Sequence, residues 1–127
     1  MGNFRQAIGK RGEDEACRHL EKLGHRIVAR NWRYARLEVD IISLYGNGLH
    51  FVEVKSRTAP AEAAPETNVD AAKRRKLASA ALAFLNSAAR RNLPPDLEIF
   101  FDIVTLLFDG PDFELNYYPQ AFIPTYA

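Results

Sequence analysis

The sequence predicts an α/β fold in which a mixed central sheet lies between helices, giving three layers. Three observations support this prediction. Two segments repeat apolar residues at helical spacing, and five others are rich in the β-branched and aromatic residues typical of strands. The segments follow one another in the order α-β-β-β-α-β-β. The second helix then crosses from the third strand to the fourth, which is a common connection in layered α/β domains.

Length and composition limit the classes of protein to consider. A chain of 127 residues supports one domain, placed at residues 1–127, and a net charge of +1 gives no overall attraction for polyanions. Nucleic-acid binding would have to depend on local clusters of Lys and Arg. The single cysteine, Cys17, fits a reducing compartment, so we expect a cytoplasmic protein. The start is polar and no apolar run approaches about 18 residues, so we expect neither a signal peptide nor membrane association.

The first helix is predicted from Phe4 to Leu23, with Asn3 as its N-cap and Gly24 as the glycine that ends it. Its buried stripe is Ile8, Gly12, Ala16, Leu20 and Leu23. Gly9 and Gly12 weaken the helix but let another backbone or a ligand approach closely. Glu13 borders the stripe, where it is either a third acid above the strands that follow or an ordinary solvated charge.

The first strand is predicted over residues 26–31, and three arginines follow at its end. Arg30, Arg33 and Arg36 alternate with Trp32 and Tyr34. Arginines mixed with aromatic residues suit a nucleic-acid surface, where they contact phosphates and stack on bases. A packed Trp with a rim of solvated charges is the alternative, and it describes Trp32 better than it describes the arginines.

The stretch from Leu37 to Arg57 predicts a hairpin, with Asn-Gly in the turn 45–48 favouring a type I′ turn. If the loop is Asn47-Gly48, Asp40 faces Lys55; if it is Gly46-Asn47, Asp40 faces Glu53. Because side chains alternate, both registers place Glu38, Asp40, Glu53 and Lys55 on one face. The other face, directed into a core, would hold Val39, Ile41, Val52 and Val54. Only a bulge or a loop of odd length would change this arrangement.

The polar face of the hairpin carries the strongest functional signal in the sequence. Two carboxylates about 5 Å apart repel each other by roughly 3 kcal/mol at an effective dielectric constant near 20. Lys55 offsets part of this repulsion, and a divalent cation would offset the rest. Paired carboxylates with a main-chain carbonyl suit Mg²⁺ or Mn²⁺, and the lysine could then orient or deprotonate a water, or stabilise the charge on a phosphate. The alternative is a cross-strand salt bridge on a solvated face.

A mobile loop is predicted over residues 58–69, followed by a second helix that Asp70 or Asn68 caps and that ends near Asn92. Its buried stripe is Leu77, Ala81, Phe84, Leu85 and Ala88. The first turns carry Lys73-Arg74-Arg75-Lys76, although cations oppose the helix dipole there. These residues either bind a polyanion or are simply solvated.

The last two strands are predicted over residues 97–108 and 113–118, the second at an edge of the sheet. Asp102 is embedded in the first of them. A buried acid needs a partner, so Asp102 would support Lys73 or Arg57 beside the site or would accept a hydrogen bond from a neighbouring backbone.

These residues resemble the YraN family of small bacterial predicted endonucleases. That family belongs to the nucleases with the PD-(D/E)xK motif, the restriction-endonuclease-like fold, and is similar to archaeal Holliday junction resolvases. Asp40 matches the first acid of the motif, and Glu53, Val54 and Lys55 match its ExK part. The family pattern is matched further by Gly9, Gly12, Glu13, Ala16, Asn31, Arg33, Glu38, Arg57, Lys73, Phe101, Asp102, Ala121 and Phe122. Val39, Leu37 and Phe100 depart from the expected Pro, Gly and Arg.

The resemblance implies a metal-dependent endonuclease acting on DNA, including branched or otherwise structured DNA. Asp40 and Glu53 would hold Mg²⁺ or Mn²⁺ with the Val54 carbonyl, Glu13 and Glu38 would complete the site, and Lys55 would position the attacking water. Contacts with nucleic acid are expected from Arg30, Arg33, Arg36, Arg57, Lys73 and Arg74. The second hypothesis is a non-catalytic nuclease-like module that binds nucleic acid or a repair or recombination protein. Both leave room for a homodimer. His19, His25 and His50 lack metal-site spacing, so we expect no competing catalytic set.

Overall fold

A five-stranded mixed sheet forms the middle layer of the computed structural model, which describes residues 4–60 and 69–122. The elements are α1 (Phe4–Lys22), β1 (Arg26–Tyr34), β2 (Leu37–Tyr45), β3 (Gly48–Thr58), α2 (Ala71–Leu85), a 3₁₀ helix (Ala88–Asn92), β4 (Glu98–Asp109) and β5 (Asp112–Tyr118). The strands lie in the order β1-β2-β3-β4-β5, and only β3 and β4 are parallel. The predicted fold class and element order are confirmed.

Helix α1 covers one face of the sheet, as the apolar spacing predicts. Gly12, Ala16 and Leu20 are buried, and Gly24 has a φ of +103°, which confirms it as the residue that ends the helix. Leu23 is 46% exposed, so its place in the buried stripe is wrong, because it lies in the turn after the helix. The predicted cap Asn3 lies outside the described residues.

The β2–β3 hairpin takes the register in which Gly46-Asn47 forms the loop. Tyr45 pairs with Gly48 and Ile41 pairs with Val52, which directs Asp40 toward Glu53. Gly46 has a φ of +55° and Asn47 is not among the residues with positive φ. The turn therefore has glycine at its first central position, as in type II′, and the expected type I′ turn is wrong.

The strict alternation expected along the hairpin fails at Asp40. Ile41, Val52 and Val54 pack on the α1 side, whereas Val39 packs in the α2-side cluster. Glu53 forms an ion pair with Lys73 of α2. Glu38, by contrast, lines a cleft beside Glu13 of α1. The prediction of one common polar face is therefore wrong, because β2 loses its regular pairing with β3 beyond Ile41.

Helix α2 covers the opposite face of the sheet. Asp70 is its N-cap and accepts the Lys73 N–H at 2.8 Å, as predicted. Leu77, Ala81 and Phe84 are buried, but the helix ends at Leu85 rather than near Asn92. The hydroxyl of Ser87 donates to the Phe84 carbonyl at 2.6 Å and a 3₁₀ helix follows, which leaves Ala88 exposed.

Strands β3 and β4 form the centre of the sheet, and β5 lies at an edge as predicted. Apolar side chains from β4 fill both cores, with Phe101 and Ile103 on the α2 side and Val104 and Leu106 on the α1 side. β3 continues to Thr58, and residues 61–68 of the predicted loop lie outside the described part of the chain. None of the described helices is both long enough and apolar enough to span a bilayer.

Candidate functional site

Two acids meet where β2 and β3 cease to pair. The Asp40 carboxylate turns toward β3, and its Oδ2 accepts the N–H of Val54 at 2.8 Å. Burial, followed by the charge of Glu53, raises the pKa of Asp40 to about 7. Burial also raises the pKa of Glu53, although Lys73 and Lys55 oppose the shift. The acids are therefore close enough to repel, and both lie where water stabilises their charge poorly.

Two lysines face Glu53 and partly balance this pair. Lys73 Nζ lies 3.6 Å from Glu53 Oε1, and its side chain is 45% exposed against 15% for Glu53. Lys55, two residues along β3, lowers the pKa of Glu53 through its charge. The predicted trio of Asp40, Glu53 and Lys55 thus lies in one electrostatic neighbourhood, with Lys73 from α2 added to it.

Glu13 and Glu38 lie on the α1 side of this acid pair, and both raise the pKa of Asp40 through their charges. Glu13 Oε1 accepts a hydrogen bond from the Asn31 side-chain amide at 2.8 Å. Glu38 lies 3.5 Å from Arg33 in an ion pair. The helix acid is therefore held toward the strands, which favours the first of the two interpretations of Glu13 over a solvated charge.

Asn31 is a site residue whose role the sequence did not reveal. It lies in the middle of β1, between the pairs Arg30–Ile41 and Trp32–Val39, and therefore opposite Asp40. Its φ is +50°, a left-handed conformation that asparagine tolerates better than most residues. In the sequence, only the match of Asn31 to the family pattern pointed to this residue. The apolar and β-branched residues that predict a strand do not predict a positive φ within it.

Two clefts run along α1 and meet at Gly9 and Glu13; together they are called the α1 groove. One has a volume of about 390 Å³ and is lined by Arg5, Val54, Ser56 and Arg57, among others. The other has a volume of about 580 Å³ and is lined by Lys10, Arg30, Asn31, Arg33 and Glu38, among others. A Cβ at Gly9 would meet no heavy atom within 4 Å, so the glycine leaves this part of the groove open. Arg5 and Lys10 are cations that the sequence did not single out.

The predicted nucleic-acid cations fall into two groups. Arg30, Arg33 and Arg57 line the α1 groove, although Arg30 lies 2.7 Å from Asp14 in an ion pair. Lys73 pairs with Glu53, and Arg74 donates its Nε–H to the Val69 carbonyl at 2.7 Å. Arg36 is exposed and, like Lys73 and Arg74, is absent from the described lining of the groove. The structure therefore does not bring all six together.

Asp102 does not support Lys73 or Arg57, so that expectation is wrong. It is fully buried on the α1 face, whereas Lys73 contacts Glu53 from the α2 side. It accepts hydrogen bonds from His50 Nδ1, the Tyr117 hydroxyl and the Gln120 backbone N–H. The alternative, that Asp102 caps a neighbouring backbone, is confirmed by Gln120.

A divalent-cation site at Asp40 and Glu53 would have to be of the kind that uses few protein ligands. Within residues 4–60 and 69–122, no three or more His, Cys, Asp or Glu side chains form a group that could hold a metal. Mg²⁺ sites in nucleotide-processing proteins, however, commonly use one or two carboxylates, with water and substrate phosphates as the other ligands. Asp40 and Glu53 are the residues that could supply the carboxylates of such a site.

The chain matches a family model and many curated relatives. The model, described as "Uncharacterised protein family UPF0102", matches residues 12–106. A UPF0102 protein of Nitratidesulfovibrio vulgaris is 40% identical over 122 residues, which cover 96% of this chain and 88% of the relative. One from Chlorobaculum tepidum is 39% identical over 105 residues, covering 83% and 78%. One from Geobacter metallireducens is 34% identical over 122 residues, covering 96% and 97%.

The family predicted from the sequence motifs is therefore confirmed, and the chain belongs to the YraN-type family UPF0102.

Proposed function

We propose that the protein is a metal-dependent endonuclease of the PD-(D/E)xK type that hydrolyses phosphodiester bonds in DNA, including branched or otherwise structured DNA. The observation that carries the proposal is the half-buried pair Asp40 and Glu53, whose pKa values are raised by partial burial and, for Asp40, by the charge of Glu53. A protein gains no stability from two ionised acids held in this way. Such pairs are typical of sites that receive a cation or a proton.

Asp40, Glu53 and the Val54 carbonyl would hold Mg²⁺ or Mn²⁺, which would polarise the phosphate and activate a water. The Val54 N–H holds Asp40 in place through its hydrogen bond to Oδ2. Lys55 positions the attacking water. Lys73 forms an ion pair with Glu53. When Glu53 binds the metal instead, Lys73 contacts the substrate phosphate. Glu13 and Glu38 adjust the charge around Asp40 from the α1 side.

The α1 groove is the part of the surface that best suits the substrate backbone. Arg5 and Arg57 line one cleft, while Lys10, Arg30 and Arg33 line the other. Guanidinium groups bind phosphate with two parallel hydrogen bonds, which orients the strand as well as attracting it. Glu13 lies where the clefts meet, and its charge reaches Asp40, so a strand along this groove passes the acid pair.

The test is cleavage of branched, flapped and linear DNA with Mg²⁺ or Mn²⁺. We expect activity that requires the metal and falls at least 100-fold in both Asp40→Ala and Lys55→Ala, since each removes a group that acts on the reacting phosphate. Glu114→Ala, an exposed acid on β5, and Lys22→Ala, an exposed lysine at the end of α1, are matched controls that keep full activity. Activity that persists in Asp40→Ala would assign the cleavage to another site or to a contaminant.

Specific observations favour a second candidate, a non-catalytic module that binds nucleic acid or a repair or recombination protein. The cations Arg5, Lys10 and Arg57 line the α1 groove and would attract a nucleic acid whether or not a metal is bound at the acid pair. This candidate predicts DNA binding that weakens with salt, persists in EDTA and produces no cleavage. Metal-dependent turnover that Asp40→Ala abolishes would exclude it.

A further inference from the structure

A second polar cluster lies on the α1 face, apart from the acid pair. Asp102 is fully buried and accepts hydrogen bonds from His50 Nδ1 at 2.5 Å, the Tyr117 hydroxyl at 2.6 Å and the Gln120 N–H at 2.9 Å. The contact with Asp102 fixes the orientation of the His50 ring. Nothing in the proposed cleavage reaction uses this pair.

His50 also lines a separate cavity of about 320 Å³. Gly48 lines this cavity too, and a Cβ at Gly48 would come within 3.0 Å of His50 Nε2 and 2.7 Å of the Phe100 ring. Glycine at position 48 therefore allows the two rings to lie against the backbone. The volume falls in the range of small-ligand pockets, roughly 300–1,000 Å³.

The walls of the cavity are aromatic. The rings of His50 and Phe100 stack at 4.8 Å with an interplanar angle of 24°, and Tyr45, 51% exposed, forms a further wall. Tyr45 is itself held by stacking on His25 at 4.9 Å. His25 also lies edge-on to the His50 ring at 4.8 Å. Phe100 and the exposed side of Tyr45 are therefore the flat apolar faces that favour a planar aromatic ligand.

The polar groups at the cavity are acceptors or amides. Glu98 supplies a carboxylate, while Asn47 and Gln120 supply amides on the two turns that frame the opening. None of the described residues that line the cavity is Lys or Arg, so a phosphate has no cationic partner there. The cavity thus matches a flat, uncharged ring that carries N–H donors.

We infer that this cavity binds an unstacked nucleobase that has an exocyclic amino group, and it is called the base pocket from here on. Tyr45 and Phe100 contact the faces of the base, while Glu98 accepts its N–H groups. Thymine lacks the exocyclic amino group and binds less well. The inference rests on the proposed function only for the source of the base, a DNA strand rather than a free nucleoside.

The test is a titration of the ¹⁵N-labelled protein with deoxyguanosine, deoxyadenosine, deoxycytidine and thymidine in EDTA, followed by NMR. We expect saturable shifts at the amides of the base pocket, with thymidine at least fivefold weaker than the best amino-bearing nucleoside. Tyr45→Ala should weaken binding about tenfold through lost stacking. Tyr34→Ala is the matched control, since Tyr34 is also exposed, at 60%, and stacks on Trp32 outside the cavity.

Glu98→Gln keeps the shape of an exposed side chain and is the second variant. It should weaken the amino-bearing nucleosides about fivefold, since a charged acceptor becomes neutral, and leave thymidine unchanged. Three results would each overturn the inference. The first is equal binding of thymidine together with no effect of Glu98→Gln, and the second is no saturable shift at the base pocket. The third is tighter binding of choline, a quaternary ammonium ion that also suits aromatic walls, than of any nucleoside.

Two further measurements separate this inference from the proposed function. Asp40→Asn should bind the nucleosides as the unsubstituted protein does, because Asp40 lies outside the base pocket. A protein that binds nucleosides but cleaves no DNA would therefore retain the pocket and lose the endonuclease proposal. A pentanucleotide that binds at least tenfold more tightly than its nucleoside identifies a strand as the source of the base, and equal affinity identifies a free nucleoside.

Discussion

Asp40→Asn should make the protein more stable at alkaline pH. Asparagine has nearly the same shape as aspartate and still offers an oxygen to the Val54 N–H, which donates to Asp40 Oδ2 at 2.8 Å. The substitution therefore removes the charge and its repulsion from Glu53 without removing the hydrogen bond. A residue kept for catalysis rather than for folding should behave in this way.

The size of the effect follows from the pKa of Asp40. Burial and Glu53 raise this pKa from 3.8 to about 7. Each factor of ten in a protonation equilibrium corresponds to about 1.4 kcal/mol, so ionising Asp40 costs about 4 kcal/mol more in the folded protein than in the unfolded chain. The folded state holds its proton more tightly, so the free energy of unfolding decreases as pH rises from about 4 to about 7 and is then constant. Asp40→Asn should gain about 4 kcal/mol at pH 8.5 and about 2 kcal/mol at pH 5.

The assay is urea unfolding in EDTA at pH 8.5 and pH 5, with Asp14→Asn as the matched control. Arg30 holds the pKa of Asp14 below its ordinary value through a hydrogen bond. The ionised Asp14 side chain therefore stabilises the fold at pH values above the ordinary pKa of aspartate, which include both pH values of the assay. Asp14→Asn should therefore change stability in the opposite direction, by less than about 1 kcal/mol because the pair is near the surface. A loss of stability in Asp40→Asn at pH 8.5, or a gain that does not depend on pH, would refute the reasoning.

Three further predictions concern α1, α2 and the acid pair. Gly9→Ala should raise stability by about 0.5–1 kcal/mol in thermal unfolding, because alanine favours the helix and its Cβ meets open space. Gly12→Ala should lower stability, because its Cβ would lie 1.9 Å from Ser56 Oγ. Equal effects of the two substitutions would contradict this prediction. Asp70→Ala should cost about 1 kcal/mol, since the side chain caps the Lys73 N–H, and Asp70→Asn should recover most of it in the same assay. Mn²⁺ should raise the melting temperature at pH 8.5, and Asp40→Ala should abolish that rise; an equal rise in both would place the ion elsewhere.

The sequence predicted the fold well because local patterns determine most of it. Helical spacing identified the buried residues Gly12, Ala16 and Leu20 of α1, and Asp70 marked the start of α2. The acids and the lysine of the hairpin also identified the family. These features depend on residues that are near one another in the chain, where periodicity and capping rules apply directly.

The parts that were wrong depend on long-range or irregular geometry. The alternation of β2 breaks at Asp40, and Asn31 opposite it has a φ of +50°, which no regular strand pattern implies. Asp102 contacts His50 and Tyr117, residues whose proximity follows only from the order of the strands in the sheet. Arg30 pairs with Asp14 across the α1–β1 contact for the same reason. Functional sites are where such irregularities are expected.

The central claim is that Asp40 and Glu53 share one divalent cation, and a crystal soaked in Mn²⁺ tests it most directly. Anomalous scattering should place an ion in contact with both carboxylates and with the Val54 carbonyl, and the same soak of Asp40→Ala should show none there. An Mn²⁺ ion bound only at another part of the surface, or none at millimolar concentration, would contradict the claim.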